Sequence, residues 1–424
     1  MKYLKLTGLA MVLMLSAGCG SDDDERDYQG FTPPSEYTLD HNRAVARSLP
    51  LEEQTDFEQA LRGLIASADD QVIPGQTGDI VWDIPAYAFV AGEAPDSVNP
   101  SLWRQERLNN IRGLFEVAPN IYQVRGFDLS NMSIIVGDTG WIIVDPLTAR
   151  ETAAAALAFA SQHLEPKPIK AILFTHSHID HFGGALGIAS PEQVAEQGIA
   201  VIAPEGFIEA ATRENVIAGI AMSRRAGFMY GNDLPRHERG HIGSGLGSQP
   251  AIGQAGILQP TDIITTTGEE RVIDGVRMVF QNVPGSEAPA EFTFYLPDHK
   301  AFMGAELVSR NMHNIYSLRG AHVRDALRWS KYIDEAAKMF GDAEVYFASH
   351  HWPIWGQDEV HDFLGKQRDT YKYLHDQTVR LLNNGYTGPE IAERLSMPPA
   401  LDQAFASRGY YGTVRHNAKA VYQM

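Results

Sequence analysis

Four residues of types that commonly bind metal ions lie within six consecutive positions of this chain. His176, His178, Asp180 and His181 follow an apolar run, residues 169–174, which has the length of a buried strand. Side chains alternate along a strand, so the first two histidines project to one side if the extended geometry persists. The carboxylate and the last histidine then lie on the following turn, within reach of a second ion. Imidazoles interleaved with a carboxylate suit zinc, iron or manganese. The motif therefore predicts a metal site, with a solvated histidine-rich loop as the alternative.

Six further segments accompany this motif along the chain, and they extend a resemblance that the motif begins. They cover residues 126–131, 137–141, 144–148, 286–291, 313–320 and 348–356. A His-x-His-x-Asp-His sequence after a strand is the signature of the metallo-β-lactamase superfamily. Together with the six segments, it resembles the type III alkylsulfatases, bacterial hydrolases of sulfate esters such as dodecyl sulfate. The resemblance implies an α/β fold, the αββα sandwich of that superfamily, followed by a helical region.

The same resemblance implies a site with two zinc ions, although other divalent metals are compatible with these donors. The implied ligands are His176, His178, Asp180, His181, Glu287, Glu306 and His350. Glu306 would bridge the ions, and a hydroxide between them would be the nucleophile, so that no protein nucleophile is required. His351 is the alternative to His350, because strand ends are uncertain by a residue or more. Glu291 is the alternative to Glu287, and it could equally support the ligands without touching the metal or lie on the surface.

Two kinds of supporting residue complete the implied site. Asp145 ends an apolar segment just before a proline; in the superfamily such an aspartate supports the metal ligands, and capping a turn is its alternative role. Sulfate contacts are implied for Asn314, Arg319 and Arg324.

Two of the implied contacts leave a choice open. An arginine fork matches a tetrahedral oxyanion, but an ion pair of Arg324 with Asp325 or Glu335 on a helix face is the alternative. Arg239 stands where typical members carry glutamine. It could still bind sulfate, and the departure bears on the substrate range.

The N-terminus predicts an exported, lipid-modified protein. A basic start precedes an apolar run over residues 6–15, which is too short to span a membrane as a mature helix. Residues 15–19 resemble a bacterial lipobox with its leucine one place early, and they end at Cys19, the single cysteine of the chain. Residues 1–19 are therefore expected to be a lipoprotein signal. Cys19 would carry the lipid, which would anchor the protein to the outer membrane, and the protein itself would lie in the periplasm. An ordinary secretory signal is the alternative.

Composition restricts the partners of this protein. The 424 residues are 44% hydrophobic and 21% charged, which suits a large folded enzyme. The formal net charge of −18 argues against nucleic acid and against anionic lipid surfaces, so that membrane contact is expected only through the lipid anchor. Local cations must therefore recognise an anionic substrate. One cysteine excludes an internal disulfide framework.

The chain is expected to have four parts: the signal, a flexible tether over the polar residues 20–40, a catalytic domain over residues 41–358 that the resemblance implies, and a helical region over residues 359–424. Strand-and-turn patterns cover residues 113–146. Helical spacing covers residues 150–163, 325–340 and 359–383, and residues 387–390 fit a capping box. The resemblance implies that the last part is an incomplete dimerisation-type region, which allows a homodimer.

The favoured hypothesis is a lipid-anchored alkylsulfatase acting on a small alkyl sulfate. One rival is another binuclear hydrolase of the same fold, which would cleave a lactone, thioester or phosphodiester. The other rival is a non-catalytic lipoprotein that binds metal or sulfate esters. Turnover of dodecyl sulfate separates the three hypotheses.

Overall fold

A computed structural model of the protein describes residues 30–424, so that the predicted signal and Cys19 lie outside the described residues. The helices of the described part are α1 (Glu36–Ser48), α2 (Thr55–Leu61), α3 (Pro100–Asn109), α4 (Arg150–His163), α5 (Pro191–Gln197), α6 (Phe207–Thr212), α7 (Gly219–Tyr230), α8 (Ala326–Met339), α9 (Gln357–Asn383), α10 (Gly388–Arg394), α11 (Pro399–Asp402) and α12 (Val414–Gln423). The strands are β1 (Leu64–Ser67), β2 (Val72–Pro74), β3 (Ile80–Asp83), β4 (Gly113–Ala118), β5 (Ile121–Arg125), β6 (Met132–Val136), β7 (Trp141–Val144), β8 (Ile169–Leu173), β9 (Ala200–Pro204), β10 (Asp262–Ile264), β11 (Glu270–Ile273), β12 (Val276–Asn282), β13 (Phe292–Leu296), β14 (Ala301–Met303), β15 (Val345–Phe347) and β16 (Ile354–Trp355). None of the helices within residues 30–424 combines the length and the apolar character that crossing a bilayer requires.

Two large sheets face each other and carry helices on their outer faces. The first has the strand order β1-β4-β5-β6-β7-β8-β9-β10, and the second has the order β11-β12-β13-β14-β15-β16. Side chains such as Val144, Leu173, Phe294 and Phe347 fill the space between the sheets. Because most strands of both sheets bury one face there, the other face of each sheet must be covered by helices. The architecture is the αββα sandwich that the resemblance implied.

Separate cores join each sheet to its helices. The alanine-rich face of α4, including Ala153 and Ala156, packs against the first sheet. Trp329 of α8 and Phe363 of α9 pack against the second sheet around Phe302. Small side chains of α4 fill the core on one side, whereas aromatic side chains of α8 and α9 fill the core on the opposite side. Both outer layers thereby fix the sheet edges at which polar residues gather.

Several local predictions match the structure closely. The predicted helix over residues 150–163 is α4, and the predicted helices over residues 325–340 and 359–383 are α8 and α9. The capping box at the start of α10 is formed in both directions between Thr387 and Glu390. These elements depend on contacts between neighbours in sequence, which the sequence pattern contains directly.

Two predictions about organisation differ from the structure. The tether was expected to continue to residue 40, but α1 begins at Glu36, because Ser35 accepts a hydrogen bond from the Thr38 N–H and caps the helix. The helical region was expected to begin as a separate part at residue 359. Instead, α9 packs on α8, and Ala420 of α12 enters the same core as the second sheet. The C-terminal helices are therefore part of one packed body with the sandwich.

Candidate metal centre

The histidine motif leaves β8 at the edge where the two sheets approach each other. The Phe292 N–H donates to Thr175 O at 2.9 Å, and the Ser177 N–H donates to Ala290 O at 3.2 Å. These bonds attach the start of the motif to the segment that precedes β13. After His178 the chain enters a single tight turn, Ile179–His181, which points the end of the motif back towards the same edge. The motif is therefore fixed by both sheets.

Glycine is required directly after the motif because the chain passes close to another loop. A Cβ atom on Gly183 would lie 2.2 Å from Thr148 O, and one on Gly184 would lie 2.1 Å from Pro146 O. No side chain tolerates such distances to backbone atoms. This close approach places Asp145, at the end of β7, beneath the turn that carries His181.

The first group of possible ligands combines His176, His178, Glu287 and Glu306, one donor atom from each lying within 4.8 Å of the others. Glu287 Oε2 lies 2.7 Å from His178 Nδ1 and 3.4 Å from His176 Nε2. Glu306 Oε2 lies 3.2 Å from His176 Nε2. All four side chains are buried.

The second group combines Asp180, His181, Glu306 and His350, again within 4.8 Å. Asp180 Oδ2 lies 3.1 Å from His181 Nε2 and 3.5 Å from His350 Nε2. Glu306 Oε2 lies 3.4 Å from each of the same two nitrogens. One carboxylate oxygen of Glu306 therefore belongs to both groups, which is the position of a bridging ligand. The structure brings together all seven residues that the resemblance implied.

The donor atoms of these groups are those of a cation site and not of a hydrogen-bonded cluster. His176 Nε2, His181 Nε2, His350 Nε2 and Glu287 Oε2 are buried and have no hydrogen-bond partner. The other ring nitrogen of each histidine, Nδ1, has a partner. That of His176 lies 3.0 Å from Thr175 Oγ1. That of His181 lies 2.9 Å from Asp145 Oδ2, and that of His350 lies 3.1 Å from Leu129 O. Buried polar atoms normally find partners, and outer hydrogen bonds of this kind fix imidazoles for metal binding. The residues present therefore fit two divalent cations.

Asp145 holds several of these elements together. Its Oδ1 accepts the Thr175 N–H at 2.9 Å, and its Oδ2 accepts Thr175 Oγ1–H at 2.7 Å and Ser349 Oγ–H at 2.6 Å. The same Oδ2 faces His181 Nδ1. Burial opposes the charge of Asp145, but His181 and the hydrogen bonds outweigh it and hold the pKa of this carboxyl below its usual value. The residue thus joins β7, the motif and the end of β15.

Two buried residues support the glutamate ligands, and one of them was not predicted. Glu291 accepts Ser286 Oγ–H at 2.6 Å and the Glu287 N–H at 3.1 Å, and its other oxygen accepts the Glu306 N–H at 3.2 Å. Burial, together with the charge of Glu287, raises the pKa of Glu291 to about 8. His313 Nε2 lies 3.0 Å from Glu306 Oε1. The geometry therefore gives Glu291 a supporting position and not that of the alternative ligand.

The two adjacent histidines after β15 have different surroundings. His350 Nε2 faces the second group. His351 adopts a φ of 63°, so its ring turns away from the centre. Its Nδ1 accepts the Arg310 N–H at 3.1 Å, and its Nε2 lies 3.1 Å from Gly245 O. Burial lowers the pKa of His351 to about 3. The geometry places His350, not His351, among the possible ligands.

The pKa values of the ligand side chains depend on the close contacts between carboxylates and imidazoles at the centre. Burial disfavours the charge of Glu306, but His350 and the other imidazoles around this carboxylate hold its pKa well below the usual range. Burial also lowers the pKa of His181, but Asp180 and Asp145 reverse that effect and raise it well above the usual value. Bound cations would supply positive charge beside these carboxylates.

Arg324 is bonded to two residues of the site. Its Nε donates to Glu287 O, its Nη2 donates to Glu287 Oε1, and its Nη1 donates to Asn314 O at 2.9 Å and also to Asn314 Oδ1. The alternative ion pair is not formed, because Asp325 caps α8 and Glu335 accepts from Gln281. A buried guanidinium requires partners, so Arg324 orients Glu287, and its sulfate contact stays a prediction.

Asn314 and Arg319 retain donors near the centre. Asn314 Nδ2 is buried without a hydrogen-bond partner, and Asn314 lines a cavity of about 230 Å³ together with Tyr411. Arg319 pairs with Glu214 at 3.0 Å. Glu214 was not singled out in the sequence, since it lies more than thirty residues from any predicted ligand and carries no motif.

Arg239 lies in a different segment, the loop between α7 and β10. The Arg239 N–H donates to His237 Nδ1 at 3.2 Å, and the turn is closed by a bond from the His241 N–H to Pro235 O. The proposed sulfate contact of this arginine stays a prediction.

The C-terminal helices reach the segment beside the metal centre. Asn417 of α12 accepts the Ile315 N–H at 2.8 Å and donates to His313 O at 3.0 Å. Tyr371 of α9 accepts the His313 N–H at 3.1 Å. These bonds fix both sides of Asn314. The helical region therefore contributes directly to the geometry of the site.

Comparison with known proteins identifies two family models along the chain. A model described as the metallo-beta-lactamase superfamily matches residues 125–350. A second model, described as alkyl sulfatase dimerisation, matches residues 387–424. The first match contains all seven possible ligands, and the second contains α10, α11 and α12.

Similar proteins cover most of this chain. A linear primary-alkylsulfatase of a Pseudomonas species is 49% identical over 393 residues, which are 92% of this chain and 58% of that protein. An (R)-specific secondary-alkylsulfatase, also of a Pseudomonas species, is 44% identical and covers 92% of this chain and 59% of that protein. The solved structure of the stereoselective inverting sec-alkylsulfatase Pisa1 has a TM-score of 0.91 and 43% identity, covering 94% of this chain and 63% of that one. The chain thus spans less than two thirds of the length of these relatives.

Proposed function

Because the chain belongs to the metallo-β-lactamase superfamily, we propose that it is a metal-dependent hydrolase that converts alkyl sulfate esters to an alcohol and inorganic sulfate. The observation that carries the proposal is the pair of buried ligand groups that share Glu306, with unpartnered imidazole nitrogens facing a common space. Similarity to alkylsulfatases over more than nine tenths of the chain supports the substrate class.

The residues of the chain have separable roles in this proposal. His176, His178, Glu287 and Glu306 would hold one zinc ion, and Asp180, His181, Glu306 and His350 would hold the other. Zinc lowers the pKa of bound water and so supplies a nucleophile near neutral pH. Asp145 fixes the His181 ring, and Arg324 fixes Glu287. Asn314 and Arg319 would orient the sulfate and stabilise the charge that grows on it.

Metal content and sulfate release test the proposal together. Purified protein should contain two zinc ions per chain and release sulfate from dodecyl sulfate. Removal of metal by a chelator should abolish the release, and zinc should restore it. Panels of lactones, thioesters and nitrophenyl phosphates provide the comparison, because activity on one of them without sulfate release would assign a different hydrolase of the same fold. Stoichiometric binding of dodecyl sulfate without product would instead indicate a binding protein.

We also propose a location and an assembly. The lipobox-like end of the signal at Cys19 supports a lipoprotein of the bacterial periplasm, anchored in the outer membrane. The match of residues 387–424 to a dimerisation model supports a homodimer. Light scattering on protein purified by size exclusion tests the assembly, and a mass of one chain at all concentrations would contradict it.

A further inference from the structure

Glu214 occupies a position between the metal centre and an arginine. It lies in a π-helical turn, Arg213–Ile217, and its side chain is only 8% exposed. Glu214 Oε2 lies 3.0 Å from Arg319 Nη1 and 3.6 Å from His178 Nε2. Its other oxygen, Oε1, is buried without a hydrogen-bond partner. A buried carboxylate with one unsatisfied oxygen is costly to maintain.

The ring of His178 is oriented differently from the rings of the other possible ligands. Its Nδ1 faces Glu287 Oε2 at 2.7 Å, within the first ligand group. Its Nε2 is buried, has no hydrogen-bond partner, and points towards Glu214. An imidazole that binds metal through Nδ1 must carry its proton on Nε2, and an acceptor there fixes that tautomer. Glu214 is the carboxylate in that position.

The contact with Arg319 gives the same oxygen a second role. Arg319 is the arginine beside Glu214 that was expected to contact sulfate, and the other expected arginine of this region, Arg324, is occupied by Glu287 and Asn314. Pairing with Glu214 Oε2 holds the Arg319 side chain in place and neutralises part of its charge. An arriving sulfate must share this guanidinium with Glu214. Glu214 Oε2 lies 3.6 Å from His178 Nε2, which is beyond hydrogen-bond range. When sulfate shares Arg319 with Glu214, the carboxylate would move closer to His178 and complete that bond.

We propose that Glu214 is a positioning residue that orients His178 for the first metal ion and holds Arg319 for the anionic group of the substrate. Metal binding and anion binding are thereby coupled through one carboxylate oxygen. The inference rests on the metal centre and the sulfate contact proposed above. It also predicts opposite signs for the two effects of removing the charge. Zinc binding loses the anionic acceptor for His178, whereas sulfate loses an anionic competitor for Arg319.

The test uses Glu214→Gln in the full chain, with Glu209→Gln as the matched control. Glu209 lies on α6, lines the same cavity of about 500 Å³ as Glu214, and is exposed. Competition with a chromogenic chelator measures zinc affinity without turnover. Calorimetric titration of zinc-saturated protein with inorganic sulfate measures anion affinity. Glu214→Gln should bind zinc about tenfold more weakly, as outer contacts of ligand histidines do when replaced, and should bind sulfate several-fold more tightly. Glu209→Gln should match wild type in both measurements.

The outcomes separate this inference from the proposed function. If Glu214→Gln keeps wild-type zinc affinity, the inference is overturned and the proposed function stands. Weaker binding of both zinc and sulfate has the same consequence, because a merely structural role would produce it. A wild-type protein that binds no zinc overturns the proposed function as well. If the glutamine variant does not fold, Glu214→Asp keeps the charge with a shorter reach. It should then lower zinc affinity without raising sulfate affinity, and unchanged zinc affinity would contradict the inference.

Discussion

Replacing Asp145 by asparagine is a sharp test of how the metal centre is held. An amide has one acceptor oxygen where the carboxylate has two. Three partners gather at Oδ2, namely Thr175 Oγ1, Ser349 Oγ and His181 Nδ1, whereas the Thr175 N–H alone binds Oδ1. The amide oxygen will therefore face the three partners, and the NH₂ group will oppose the Thr175 N–H.

The magnitude follows from this arrangement. One buried backbone donor loses its acceptor and meets another donor, and it cannot rotate away as a hydroxyl can. The expected cost in the metal-free protein is about 1–3 kcal/mol of unfolding free energy. His181 also loses an anionic partner for Nδ1. Replacement of such a partner lowers metal affinity by roughly 10- to 100-fold, which corresponds to about 1.4–2.8 kcal/mol.

Urea unfolding of chelator-treated protein measures the first effect, and zinc competition measures the second. Asp274→Asn is the matched control, because Asp274 accepts the Thr139 N–H, the Gly140 N–H and Thr139 Oγ1–H at 2.9, 2.7 and 2.6 Å at an exposed turn. Water can replace those partners, so the expected loss there is roughly 0.5 kcal/mol or less, with unchanged zinc affinity. An Asp145→Asn protein that keeps wild-type zinc affinity would refute the supporting role of Asp145.

Three further predictions concern other parts of the chain. His178→Ala or Asp180→Ala should reduce bound zinc and abolish sulfate release while circular dichroism stays near wild type; two ions per chain with near-normal turnover would contradict the ligand assignment. Cys19→Ser should move the protein from the membrane fraction to the soluble periplasm, and an unlabelled wild type after growth with tritiated palmitate would exclude the lipid anchor. Burial raises the pKa of Glu106 to about 8; because its folded pKa lies above its unfolded value, the stability it contributes is present at low pH and is lost as pH rises towards 8. Glu106→Gln should therefore flatten the fall in thermal stability between pH 5 and 8, and an unchanged slope would contradict this account.

The sequence by itself determined the local elements and the ligands that are close together. The apolar run before His176, the alternation along it and the paired glycines after His181 depend only on neighbours in the chain. The helical spacing of α4 and α9 and the capping box of α10 are likewise local patterns. Positions of Glu287, Glu306 and His350 came from resemblance to a family and not from spacing, because no local rule relates residues a hundred positions apart.

Tertiary structure alone decided which distant groups meet. Stacking of the two sheets placed Ser349 on Asp145 and turned His350 towards Glu306. Packing also buried Arg324, and a buried guanidinium takes the nearest acceptors, so that it binds Glu287 and not the helix-face acids that were the alternative to a sulfate contact.

The same physical reason explains the residues that sequence reasoning missed. Glu214 lies in no motif, and His313 lies in a family-like segment that gave it no role; their contacts exist only because the turn after α6, the end of β14 and the loop before α8 converge at one edge. The C-terminal helices joined this edge through Asn417, which sequence spacing had assigned to a separate region. Periodicity specifies which face of an element is apolar, but the choice of partner depends on close packing of all elements at once. Contacts between buried polar groups are therefore set by the assembled fold.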